Sequence, residues 1–453
     1  MEDFTHYMSY TWKDVQANMK GDDLCIEFAS VNLDMMGEDT HMVALLLTKD
    51  MTLPTSVILW DEEKLHDCYD SELFGKLMNA SITGRSVKEV IKEERERLSN
   101  GGDVLMKHEK ELYLDLMEHK ADTTCGVFRP LMMPMVKYRD LLLQDSVMFT
   151  KPEVGKIVWE QISPYIQGKK RVLFSADGIF NNIAVEYLPV GGKTLSEQFE
   201  VYRLSSTKEL CYQHEVRKPT KAALFGDINY NDEATKSKDT QRSLASFRGS
   251  GDAGCFADLS NTLREVDGIQ AVLKGKGVKD AARFRDTEAS KSAFMSLTDS
   301  KVNILHIATH GMYRDEKKST DAESMQNSLL AFAGSNLDDN SLVTAADIAT
   351  MNLRQCDLAV LSACETGLGK LGGDGVFGLQ RGFKNAGVHT LLMSLKKVYD
   401  DSTADLMISF YQHLMNGASK REALVKAQQD IRNKGFNDPK YWATFILLDA
   451  YNK

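Results

Sequence analysis

Five short apolar runs in the later two thirds of the chain constrain its fold more than any other feature. They are RVLFSAD (171–177), KAALFGD (221–227), VNILHIATH (302–310), CDLAVLSAC (356–364) and VHTLLMSL (388–395). Runs of this length, apolar throughout and bounded by turn residues, read as strands buried on both faces, the habit of parallel sheets. Between them lie helical patterns, TLREVDGIQAVLKGKG, EASKSAFMSLTD and GVFGLQRGFKNAG, the last closing on glycine as a helix C-terminus does. STADLMISFYQHLMNG and SKREALVKAQQDIRNKG continue the helical pattern, and WATFILLDA reads as a closing strand. Strand and helix alternating in this way predict a mostly parallel α/β sheet covered by helices on both faces.

The first part of the chain has a different rhythm. Residues 12–60 carry a short helix around WKDVQANM and three strand-like segments, LCIEFASVNL, HMVALLLTKD and TSVILW, with TKDMTLPT as the turn of a hairpin. From Glu62 to about Leu143 the pattern is helical, with charge-rich, solvated faces. Residues 1–150 are therefore read as a smaller α/β companion subdomain to a domain spanning 151–453. Two polar stretches, 229–261 and 313–328, interrupt the later alternation, and loops this long in a compact domain are functional or disordered.

In an open α/β sheet, ligands bind beyond the carboxyl ends of the strands. His310 ends one predicted strand and Cys364 another. If the two strands are neighbours, imidazole and thiol share a rim, and the imidazole can activate the thiolate as a nucleophile. Gly311 leaves its backbone N–H uncluttered, so it and the N–H of Cys364 are candidates to hold an oxyanion. Small residues, Ser362 and Ala363, keep the approach to the sulfur open. Free cysteines and histidines are also common core residues, so spacing alone leaves two readings open: a thiol hydrolase, or two core strands. His306, inside the apolar run ILHIA, is read as a hydrogen-bonded core histidine.

Composition narrows the field. A net charge of −10 over 453 residues argues against nonspecific nucleic-acid binding. No apolar run approaches the roughly 18–20 residues of a membrane helix, and the N-terminus lacks the pattern of a secretory signal. Seven scattered cysteines without CxxC spacing point to a reducing, cytoplasmic setting in which Cys364 remains a thiol. GLGKLG (367–372) matches a dinucleotide fingerprint, but SACET precedes it and GDG follows before the predicted helix. Its glycines are read instead as a mobile loop beside Cys364.

LHIATHG (305–311) and LSACETGLGKLGGDGVFGLQRGFKNAG (361–387) closely resemble the signature blocks of CHAT-domain peptidases, caspase-like cysteine proteases related to separase. SADGIFNNIAVEYLP, YRLSSTKEL, ALFGDINY, SLVTAADIATMNL and DPKYWATFILLD agree with the same family in the same order. The resemblance covers about residues 150–453. It implies a caspase-like αβα sandwich and peptide-bond hydrolysis through an acyl-enzyme, with Cys364 as nucleophile and His310 as general base or ion-pair partner. It implies no metal or organic cofactor. The substrate, a protein or peptide, would lie extended beside the sheet, with Asp177, Ser362 and Ser394 as candidate contacts. The companion subdomain would be a degenerate caspase-like half. The resemblance also implies activity held off until a regulatory protein partner or signal arrives. A non-catalytic scaffold with the same fold is the alternative. The family commonly carries an aromatic–proline pair after the SL of the fifth strand, where this chain has Lys396-Lys397-Val398, so specificity does not carry over.

Overall fold

The computed structural model describes residues 9–32, 40–61, 92–93, 96, 152–212, 217–233, 256–313, 320–363, 369–372, 375–395, 398 and 400–451. The helices read between Glu62 and Leu143 fall almost wholly outside these residues, as do Cys364 and the Lys396-Lys397 pair.

Among the described residues, helix α1 (Trp12–Asn18) is followed by strands β1 (Asp23–Asn32), β2 (Thr40–Thr48) and β3 (Thr55–Asp61). Helix α2 (Pro152–Trp159), β4 (Arg171–Ser175) and β5 (Glu200–Leu204) come next. Then follow β6 (Lys221–Ile228), α3 (Asn261–Gly275), β7 (Asp280–Asp286), α4 (Lys291–Met295) and β8 (Ile304–Ala308). A small antiparallel sheet is made of β9 (Gly311–Tyr313), β10 (Ser328–Ala331) and β11 (Leu342–Thr344), with α5 (Asp321–Asn327) between its first two strands. After α6 (Ala345–Ala349) and β12 (Leu358–Ser362) comes the hairpin β13 (Gly369–Gly372) and β14 (Gly375–Gly378). The last elements are α7 (Leu379–Asn385), β15 (Thr390–Ser394), α8 (Asp400–Met415), α9 (Lys420–Asn433) and β16 (Phe445–Leu448).

One large sheet runs in the order β3–β2–β1–β4–β5–β16–β15–β12–β8–β6–β7. From β15 to β7 all neighbours are parallel. β16 is antiparallel to β15, and β5, β4 and β1 run with β16, so the sheet reverses direction once in its middle. β2 and β3 extend it as an antiparallel meander. The expected mostly parallel α/β architecture is what forms, and the first three strands join the same sheet as the later ones.

The central strands are apolar at nearly every position because both faces are covered: ILHIA in β8, LAVLS in β12 and TLLMS in β15 are buried throughout. Side chains one residue apart point to opposite faces. His306 of β8 faces α3 and α8, where it meets Glu265 and Tyr411. Phe225 of β6, one step out of phase with the Leu224 that pairs with His306, packs on Phe294 of α4, which meets Phe383 of α7. α3 and α8 approach so closely at Gly268 that a Cβ there would lie 2.6 Å from Ile408 Cδ1. At the other end of the sheet, Phe28, Trp159, Phe174 and Phe180 pack together on one face, and Val15, Cys25, Leu173 and Tyr451 on the other.

Three local differences from the sequence reading have physical reasons. GVFG, expected to open a helix, is β14, and the helix starts at Leu379; glycines at both ends leave two side chains, too few to hold a helical turn, and Gly378 is extended. The glycine run GKLG, read as loop, is its partner β13. Of the polar stretch 313–328, Asp321–Asn327 is helical, entered through a Thr320–Glu323 capping box. As expected, a left-handed glycine, Gly387 at φ 94°, follows the end of α7. No helix among the described residues is long and apolar enough to cross a membrane.

Candidate active site

β8 and β12 are parallel neighbours in a register that sets Ala308 opposite Ser362. The Thr309 N–H still reaches the Ser362 carbonyl, 3.3 Å away, one residue beyond β8. His310 follows on one strand. Ala363 ends the described part of the other, and Cys364, the next residue, lies outside the described residues.

His310 is half-buried and held on several sides. Its Nε2 lies 2.7 Å from the carbonyl oxygen of Ala257, on the approach to α3. A carbonyl only accepts, so Nε2 carries a hydrogen, and in the neutral form of the ring the lone pair is then on Nδ1. The rings of Tyr230 and Phe256 flank the imidazole with centroids at 5.1 and 5.3 Å. The Thr309 hydroxyl donates to the Ala331 carbonyl at 2.6 Å and therefore accepts from the Tyr230 hydroxyl, 3.0 Å away. Ala331 N–H in turn donates to the His310 carbonyl at 3.0 Å. Ring, backbone and preceding side chain are thus fixed together.

That last bond also orients Gly311. Hydrogen-bonded and non-hydrogen-bonded pairs alternate along an antiparallel ladder. With the His310 carbonyl bonded to Ala331, the Gly311–Leu330 pair is of the second kind, and the Gly311 N–H points away from β10.

A cavity of about 280 Å³ opens beside His310, lined by Thr309, Ser362, Ala363, Glu265 of α3 and Thr403 of α8, among others. The Ser362 hydroxyl is buried without a hydrogen-bond partner among the described residues. Glu265 is 2% exposed, and its Oε1 accepts from His306 Nε2 at 3.0 Å. Tyr411, whose phenol burial pushes well above its ordinary pKa, keeps its proton and lies 3.5 Å from His306 Nδ1. His306 is therefore the hydrogen-bonded core histidine that its place in ILHIA predicted.

Residues 153–450, well over half of the chain, match the CHAT domain family. The chain belongs to that family. A 110-residue stretch of the CHAT-domain chain is 34% identical to human tetratricopeptide repeat protein 28 and 32% identical to the mouse protein. That stretch is 24% of this chain and 4% of those proteins, so the chain spans only a small part of the relatives it matches. Among solved structures, the fold is similar to separase from the Saccharomyces cerevisiae separase–securin complex, at a TM-score of 0.48 and 12% identity over 96% of this chain and 30% of that one. It is also similar to the Arg-specific cysteine proteinase gingipain R, at 0.39 and 10% over 67% and 68%.

Within the CHAT domain, the candidate residues are divided between two places. His310 and Ser362 line the cavity, with Gly311 next in the chain. Ser394 does not line it: its side chain is fully buried and its hydroxyl donates to the carbonyl of Ala363, the residue before Cys364. Asp177 follows β4, which β5, β16 and β15 separate from β12, and its Oδ2 accepts from the Ser30 N–H at 2.8 Å. It stands at the N-cap position of the 3-10 turn Gly178–Asn182 without a side-chain bond to it, and that turn packs beside β13 of the hairpin. Sequence reasoning missed Ala257, Glu265 and Tyr230. A backbone carbonyl has no residue signature, and Glu265 sits in a helix that reads as amphipathic; Tyr230, within ALFGDINY, and Ala257, within the polar stretch 229–261, lay in stretches already singled out.

Proposed function

We propose that this CHAT domain is a cysteine endopeptidase that cleaves a protein substrate, with Cys364 as nucleophile and His310 as base. The observation that carries the reading is the register of β8 with β12: His310 stands two residues past Ala308, and Cys364 two residues past Ser362, its partner. The bond from His310 Nε2 to the Ala257 carbonyl supports the role of base, because it leaves Nδ1 as the acceptor for the thiol proton. The thiolate then attacks the scissile carbonyl carbon. The oxygen of the tetrahedral intermediate is held by the N–H groups of Gly311 and Cys364, a role supported by the outward direction of the Gly311 N–H. Collapse breaks the C–N bond, and His310 returns its proton to the leaving amine. Water, deprotonated by the same imidazole, releases the acyl group and restores the thiol.

Ser362 is the substrate contact that the cavity favours, since its buried hydroxyl has no hydrogen-bond partner among the described residues. Asp177 and the segment after Ser394 belong to the wider substrate cleft in this reading, with Ser394 acting on the Ala363 backbone rather than on substrate. Activity is conditional on a protein partner. Support for that comes from the relatives, tetratricopeptide repeat proteins far longer than the stretch they share with this chain.

The test is cleavage of a diverse peptide library by the purified chain, beside Cys364→Ala and His310→Ala, together with labelling by an electrophilic peptide probe that traps a thiolate without turnover. Cleavage or labelling lost in both variants supports the dyad. A wild-type chain that neither cleaves nor is labelled, both alone and with its bound protein partners present, while Cys364→Ala binds those partners as wild type does, makes the domain a non-catalytic scaffold.

A further inference from the structure

Tyr230 and Phe256 stand near the two ends of the long polar stretch after β6, and one side chain ties both. Asn336, in the turn after β10, is 4% exposed. Its Oδ1 accepts from the Phe256 N–H at 2.6 Å, and its Nδ2 donates to the Phe256 carbonyl at 2.9 Å. The amide thus reads the Phe256 backbone as a neighbouring strand would, taking donor and acceptor together. Nδ2 also donates to Asn231 Oδ1 at 3.0 Å, and the Asn336 backbone N–H donates to the Tyr230 carbonyl at 2.9 Å. The residues so gripped are those that surround His310: the Tyr230 and Phe256 rings flank it, and Ala257, directly after Phe256, accepts its Nε2–H.

We propose that Asn336 is the positioning residue of the site: by holding Phe256 and Tyr230 it sets the Ala257 carbonyl and so fixes the tautomer of His310. This rests on the reading of His310 as base, but its first consequence, the tautomer, is independent of turnover. The chemistry requires both halves of the amide. A carboxylate of the same shape still accepts from the Phe256 N–H, but it meets the Phe256 carbonyl and Asn231 Oδ1 with no donor. Phe256 then loses its fixed backbone, and with it goes the carbonyl that holds the proton on Nε2.

The experiment uses the whole chain with isotope-labelled histidine, in wild type and Asn336→Asp, and reads the His310 ring nitrogens by long-range NMR, with His310→Ala to assign them. Wild type is expected to hold the hydrogen on Nε2, and Asn336→Asp to show a mixture of tautomers. Where peptide cleavage is measurable, kcat falls on the order of 10- to 100-fold, the cost of a displaced catalytic group, with KM little changed. Should Asn336→Asp not fold, Asn231→Ala removes one acceptor of the clamp and is expected to shift the tautomer ratio in the same direction by less. A wild-type tautomer in the folded variants overturns the proposal even if the chain proves a peptidase. A tautomer that follows Asn336 in a chain that never cleaves keeps the positioning role and removes the peptidase reading instead.

Discussion

Two histidines four residues apart in one short motif have opposite fates because β8 ends between them. His306 is inside the strand, fully buried, with Glu265 as its partner, whereas His310 lies past Ala308 and turns toward the cavity. His306→Ala would leave the Glu265 carboxylate buried and unpaired, and we expect a loss of about 3–5 kcal/mol in urea denaturation. Replacing both partners with apolar residues, His306→Leu with Glu265→Met, should recover most of it, since no buried charge remains. The cysteines separate in the same way. Burial pushes the Cys356 thiol up to about 12 and raises that of Cys25 as well. Neither forms a thiolate at neutral pH, so iodoacetamide should leave both unmodified in the folded chain and label both after denaturation, as mass spectrometry would show. At this scale the sequence was half legible. The apolar setting of His306 announced a core residue, but the partner of His310 is a main-chain oxygen 53 positions away, which no residue type encodes.

The helices α3, α8 and α9 form one layer, and carboxylates stitch it. Asp405 of α8 accepts from Lys434 at 2.8 Å and Arg264 of α3 at 2.5 Å. Asp430 of α9 accepts from Ser409 and His413 of α8 at 2.6 and 2.8 Å. Burial alone would raise both carboxyls, but these partners more than offset it and hold both below their ordinary pKa. Groups depressed in the folded state stabilise it above their unfolded pKa, about 4, and lose that contribution as pH falls through the folded value. The melting temperature should therefore drop between about pH 5 and about pH 3. In Asp405→Asn with Asp430→Asn it should start lower and fall less steeply, by calorimetry. Elements were read best where apolar periodicity was strong, as in β8, β12, α3 and α9. β7 was overlooked because DAARFRD buries only Ala281, among charged and half-buried neighbours, the pattern of a strand with one wet edge.

The molecule as a whole protects its two sheet edges differently. β7 carries Arg283 and Arg285, paired with Asp267 and Asp227. Charges of this kind discourage strand addition. Among the described residues β3 is the last strand at the other end, and Ile58 on it and Leu45 beside it are 54% and 43% exposed. Arg283→Val with Arg285→Val is expected to increase light scattering on warming. Ile58→Lys should leave the unfolding free energy within about 0.5 kcal/mol, as for other surface substitutions.

Between these edges, just inside the reversed half of the sheet, β16 touches β5 through one residue pair, Leu448 with Arg203. Side chains reinforce the contact: the Asp449 carboxylate accepts from the Ser205 N–H and faces Lys384 Nζ at 2.7 Å. A row of backbone bonds shares a load along its length, whereas a single pair must carry it alone. Pulled from its two flanks, the molecule would tear at this seam first, giving up a few polar contacts before any long ladder opened.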